Sequence, residues 1–481
     1  MLSRFFAILI AALAIPAFAT PQPINATDLW INPDESGWGI SVFHQGDTLF
    51  ASLFVYGPDG QPKWYTASAL TPGPFTFSGA LTEATGPFFG GAFNPNAVTR
   101  RTVGNMTFTL RETDALVSYS VDGTQVSKRV VRFSMRPIEI SLVYYGVVLQ
   151  PAGPASEVSW PDLHILLSED GSMDTASNTT STCYFPASSR SQNGEFVSAA
   201  GTTSCPSGVR GPWRMTIDPT ATGFIGNFAG RNISDGRIAA SRRGPPVLVS
   251  NGWVNDLWFP SNEGGWGLNL IEQGDTMFAT LFVYDQQGRA RWYSASELRR
   301  GSSSMPGWTG DLYESTGPYF GTSFNPAAVT RRRVGTMSFF VDESGQGQLS
   351  YSVDGTRVNT KSVQRFAFRK NDLSGSYKGM LIMRSDDPRG ASYDDAEFTI
   401  DDRGDQVVMD MKVFTGLRCT YTGQSLQIGS LRSIAGTHSC GGTFRMDNIQ
   451  VSANGLTSTF QGPAGHISGL ITNGHLSGAR R

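Results

Sequence analysis

The feature that most constrains this chain is a hairpin written twice. Residues 35–65 read ESGWGISVFHQGDTLFASLFVYGPDGQPKWY, and residues 263–293 read EGGWGLNLIEQGDTMFATLFVYDQQGRARWY. The offset is 228 residues throughout, with no insertion. In each copy a Gly-Asp pair, Gly46-Asp47 or Gly274-Asp275, separates two apolar runs. That pattern predicts a two-residue hairpin turn with positive φ at the glycine. Such a turn fixes register. It sets Gln45 opposite Thr48, Phe43 opposite Phe50, Ser41 opposite Ser52 and Gly39 opposite Phe54 on one face. Val42/Ala51, Ile40/Leu53 and Trp38/Val55 share the other. The second copy keeps both patterns, with Trp266/Val283 and Leu268/Leu281 on the aliphatic face, and Asn269/Thr280 and Gly267/Phe282 on the mixed one. The aliphatic face reads as core. The mixed face reads either as a lining that recognises a ligand by stacking and hydrogen bonds, or as a second covered face.

The repeat extends beyond the hairpin. Module A spans residues 26–137 and module B 138–243. A linker at 244–254, stiffened by Gly244-Pro245-Pro246, separates them from A′ at 255–370 and B′ at 371–481. Short strands joined mostly by tight turns predict an all-β chain of tandem antiparallel meander modules, barrel-like or sandwich-like, in two copies of a two-module unit. Asp122-Gly123 and Asp354-Gly355 are further hairpin turns. Asn94-Pro95 and Asn325-Pro326 read as the cap and first position of a short helical turn. These A modules, over about 28–133 and 256–366, resemble an uncharacterised repeat family of exported bacterial β proteins. The shared pattern is ESGWG, QGD, FA, F and Y, then WY, TGP, FNPAAVT and a VDG turn. Gly264 departs from the Ser of ESGWG. The resemblance implies export and β architecture, and it assigns no activity.

Residues 1–19 read as an export signal. Arg4 gives the positive start, an apolar run spans 5–15, and Ala17-Phe18-Ala19 forms the cleavage site. No later stretch is long and apolar enough for a spanning helix. A periplasmic or extracellular protein is expected. Its four cysteines pair by position into Cys183–Cys205 and Cys419–Cys440, two local disulfides. A zinc site is disfavoured because the usual close Cys-Cys or Cys-His spacing is absent. The net charge of −2 excludes a general nucleic-acid binder.

No catalytic motif stands out, and no cofactor is implied. Glu35/Glu263 and Asp47/Asp275 recur, but the aspartates serve turns, and Glu35 is placed to bond local backbone. None of the five histidines recurs; His44 becomes Glu272, and His438 corresponds to Thr203. The acidic run from Asp386 to Asp405 fits no calcium-loop spacing, and Asp402-Arg403-Gly404-Asp405 reads as a hairpin turn. The recurring aromatics are more suggestive. Trp64-Tyr65 and Trp292-Tyr293 are candidate sugar-stacking platforms, with Tyr56, Ser41 and Ser52 beside the first, and Tyr284, Asn269 and Thr280 beside the second. The rival is that all are core aromatics. The favoured function is a non-catalytic exported binding protein for a polymeric or cell-surface ligand, a carbohydrate among the candidates. A structural or envelope-assembly protein is the alternative, and a surface-polymer hydrolase the second alternative. Oligomeric state is not encoded legibly.

Overall fold

The computed structural model describes residues 25–481, apart from 74, 112, 153–156, 177–182, 244–253, 302–306, 343–344, 384–391, 414–415, 417 and 463–470. The export signal and most of the linker therefore lie outside the described residues. The described chain is all-β, with antiparallel neighbours throughout.

Alternation turns each meander into a closed barrel. Module A has eight strands from Asp28–Ile31 to Thr124–Arg132, and the last pairs with the first through Trp30 and Arg132. Ile40, Val42, Ala51, Leu53 and Val55 point into this barrel with Phe77, Phe108 and Val117. The hairpin register follows the Gly46-Asp47 turn as expected, from Gly39/Phe54 to Gln45/Thr48. A′ repeats the barrel from Asp256–Phe259 to Thr356–Arg365, and B′ forms one from Gly375–Met383 to Ile471–Arg480. B is a nine-stranded sheet in which Tyr184, on one end strand, pairs with Ser204 on the strand next to the other end. Closure decides the barrel-or-sandwich question, and it removes free strand edges. The helical turns are present as Pro95–Ala97 and Pro326–Ala328, capped by the side chains of Asn94 and Asn325. Both expected disulfides, Cys183–Cys205 and Cys419–Cys440, are formed.

The mixed face of each A hairpin is covered by the other A module. Phe43, Phe50, Phe54, Tyr56 and Trp64 belong to one continuous apolar cluster with the barrel of A′. The contacts are reciprocal. Trp64 Nε1 donates to Val283 O at 3.3 Å, and Trp292 Nε1 donates to Val55 O at 3.0 Å. The loop after Thr85 crosses to A′, where Phe89 N donates to Tyr284 O. The loop after Thr316 crosses to A, where Phe320 N donates to Tyr56 O. Phe320 sits against Tyr65 and Tyr119 in the core of A. Gln45 grips the outgoing chain of A′, donating to Phe366 O and accepting from Phe368 N. Gln273 does the same for A, with Phe133 O and Met135 N. The repeated TGP, WY and QGD signatures are thus positions where one half reads the backbone of the other.

Each B module docks on its own A module through a buried acid. Asp28 pairs with Arg132 at 3.2 Å and accepts from Glu195 N. Asp256 pairs with Arg365 at 3.3 Å and accepts from Ser430 N. The glycines just before those donors, Gly194 and Gly429, have φ of +64° and +63°, and a Cβ on either would overlap the aspartate Oδ2. B and B′ meet through outward faces, with Val147, Leu149 and Ala239 against Ala479.

Candidate functional site

Where the four modules converge they leave a cavity of about 660 Å³. A contributes His44 and Phe75, with Asn25 just before that module, and B contributes Glu195 and Asp218. Asn255 comes from A′, Arg369 to Asp372 from the A′–B′ crossing, and Gln450 and Arg480 from B′. His44 and Asp218 lie near the ends of their strands, and Phe75 and Glu195 lie in turns.

Two groups of the inner wall, His44 and Glu195, are shifted toward their neutral forms by burial. His44 Nδ1 accepts from Ala26 N, so the proton of its neutral ring belongs on Nε2, a buried atom with no hydrogen-bond partner. Burial pushes the His44 pKa down to about 4. Burial raises the Glu195 pKa well above the usual carboxylate range, helped by the nearby charges of Asp28 and Asp218. Asn255 donates to Glu195 Oε1 and accepts from Glu272 N. Asp218 is pushed up to about 6, again by burial, against the bond from Asn25 Nδ2 at 3.1 Å. Two of the cations at the rim are paired with carboxylates. Arg369 pairs with Asp47 at 2.6 Å, and Lys370 with Asp405 at 3.1 Å.

One aromatic stands out at this cavity. Phe75 lies in the turn between strands Pro62–Gly73 and Thr76–Thr85, is 55% exposed, and has φ of +60°. A left-handed backbone is uncommon for a bulky residue and concentrates at functional sites. The wall can therefore offer stacking from Phe75 and hydrogen bonds from neutral amide, imidazole and carboxyl groups.

None of the ten residues expected to bind ligand lines this cavity. Trp64, Tyr65, Tyr56, Trp292, Tyr293 and Tyr284 are at most 5% exposed. Their expected exposure is corrected, because the partner A module and its crossing loop cover them. Tyr56 and Tyr284 also donate to Gly37 O and Gly265 O within their own barrels. Ser41, Ser52, Asn269 and Thr280 are buried on the same mixed faces. Glu35 takes a bond from Trp38 Nε1 and a salt bridge from Lys128, and Glu263 does so from Trp266 and Lys361. Side chains, rather than the expected backbone, occupy both carboxylates. In the acidic run, Asp386 and Asp387 lie outside the described residues. Asp401, Asp402 and Asp405 pair with Arg403, Arg432 and Lys370. The sequence does not group the cavity residues, because they are scattered over four modules. Their one signal is that His44 and Glu195 break the repeat, becoming Glu272 and Ser430.

No protein-family model and no curated protein matches this chain. Among solved structures, two variants of the vaccine antigen transferrin binding protein B from Haemophilus parasuis Hp5 are similar. A double mutant is 10% identical over 77% of this chain and 83% of its own, with a TM-score of 0.16. A single mutant is 8% identical over 85% and 96%, also with a TM-score of 0.16. A likeness of that size carries no inference about this chain.

Proposed function

We propose that this chain is an exported, non-catalytic binding protein that receives an uncharged, hydroxyl-rich part of a polymeric or cell-surface ligand, a carbohydrate by preference, in the four-module cavity. The observation that carries this reading is the pairing of an exposed Phe75 ring with a neutral hydrogen-bonding wall at His44, Glu195 and Asn255. Sugar rings present an apolar C–H face and a rim of hydroxyls, which matches such a lining better than a charged ligand does. Export is supported by the two disulfides, which persist in oxidising compartments. A binding role is favoured over hydrolysis because the repeated Glu35 and Glu263 carboxylates are already engaged in structural bonds.

The test is co-sedimentation with peptidoglycan, chitin, cellulose and cell envelopes, at low and high salt. Salt-resistant binding to one polymer is expected, with competition by its soluble fragments. Phe75→Ala should weaken that binding by about 3- to 10-fold, the range of an aromatic contact, with an unchanged unfolding midpoint. Failure to bind any polymer, or binding indifferent to Phe75→Ala, overturns this reading.

A further inference from the structure

Among the described residues, the disulfide of B′ lies beside an imidazole. Cys419 lies in strand Arg418–Ile428, and His438 closes the adjacent strand Leu431–His438, with Tyr421 opposite His438 in the register. Cys440 follows two residues later, in the turn. One ligand atom from each of Cys419, His438 and Cys440 lies within 4.8 Å of the other two. His438 is 6% exposed, its ring stacks on Tyr421 at 5.0 Å, and neither ring nitrogen has a hydrogen-bond partner. A buried imidazole with both nitrogens unsatisfied is costly in a purely structural role. At the matching position B carries Thr203, beside Cys183–Cys205.

We infer that reduction of Cys419–Cys440 opens a two-thiolate, one-imidazole site for a thiophilic d10 ion such as Zn2+, and that the disulfide is the closed state of this site. A dithiol reductant delivers two electrons and two protons. The S–S bond breaks, two thiols form, and the reductant becomes a disulfide. Zn2+ then binds both sulfurs and one His438 nitrogen, releasing the two thiol protons. Two thiolates on a tetrahedral zinc stand roughly 3.8 Å apart when Zn–S is near 2.3 Å. The Cα atoms, 5.6 Å apart, leave room for that separation by side-chain rotation. Cys440 is exposed, which gives the reductant access and leaves a fourth position to water.

The experiment uses the full chain, oxidised or reduced anaerobically with a phosphine, titrated with Co2+ as a spectroscopic probe and then with Zn2+. The reduced chain should take one equivalent of Co2+ with a thiolate-to-metal absorption band, and the oxidised chain none. His438→Thr, which copies the residue found in B, should weaken binding by about 10-fold or more, at least the loss seen when a metal's supporting partner is removed. Zn2+ should raise the thermal midpoint of the reduced chain and leave the oxidised one unmoved, which ties the site to folded B′. Absence of the band in the reduced chain, equal affinity in His438→Thr, or no Zn2+ effect on the midpoint each overturns the inference.

Discussion

Replacing Trp64 by Phe keeps most of the ring and removes one N–H. Val283 O then loses its side-chain donor in a buried interface, and the expected cost is about 0.5–1.5 kcal/mol. Trp292→Phe should cost the same through Val55 O, and the double variant should depart from additivity because both sit in one apolar cluster. Urea unfolding measures all three. Titration gives a second residue-scale expectation. Burial pushes Asp218 up to about 6 and Glu272 up to about 7, and raises Glu195 well above its usual range. The folded chain therefore holds protons that the unfolded chain releases, and stability falls as pH rises through that window. His44, pushed down to about 4, works the other way, costing stability as pH falls below its unfolded value. Three carboxyls outweigh one imidazole, so the thermal midpoint should be higher near pH 5.5 than near pH 7.5. Asp218→Asn should narrow that difference. The hairpin register was legible because Gly46-Asp47 sets it within a few residues. The exposure of Trp64 was not, since what covers it lies more than 200 residues away.

At the scale of elements, the turns that join modules are more demanding than the turns within them. Gly194→Ala puts a Cβ into Asp28 Oδ2 on a backbone at φ +64°, so it should lower stability by roughly 2 kcal/mol or more, mainly by loosening B from A. Gly429→Ala should do the same between B′ and A′, and hydrogen exchange along strands Ala187–Asn193 and Leu431–His438 would localise each effect. Local chemistry announced the capped turns at Asn94 and Asn325, because Asn before Pro acts within three residues. Barrel closure was not announced. It rests on pairs such as Trp30/Arg132 and Tyr377/Arg480, about 100 residues apart, and strand alternation is the same in a barrel and a sandwich. The crossing of the two TGP loops was hidden for a related reason: the motif marks a place to be bound and does not say by what.

For the whole molecule, the two halves should hold together without their connector. A specific protease site placed within 244–253 and cut should leave both halves co-eluting as one species in native size exclusion. They should separate only when the A–A′ cluster unfolds. Separation under native conditions would mean that the shared core contributes less than its continuity implies. This follows from the reciprocal bonds of Gln45 and Gln273, which tie each half to the other's outgoing chain.

The same reciprocity imposes an order in time. Module A is finished only when A′ supplies Phe320 and the backbone that Gln45 grips, and the gripped Phe366 lies 321 residues after Gln45. At roughly 5–20 residues per second, that is a wait of about 16–64 s. Throughout it the nascent first half displays Phe43, Phe50, Phe54 and Trp64 to its surroundings, a surface shaped to accept a closely similar module. Two chains made side by side would meet that surface in each other before either had made its own. Crowded synthesis should therefore yield interchain pairs with native-like barrels, and spacing ribosomes further apart should restore single chains.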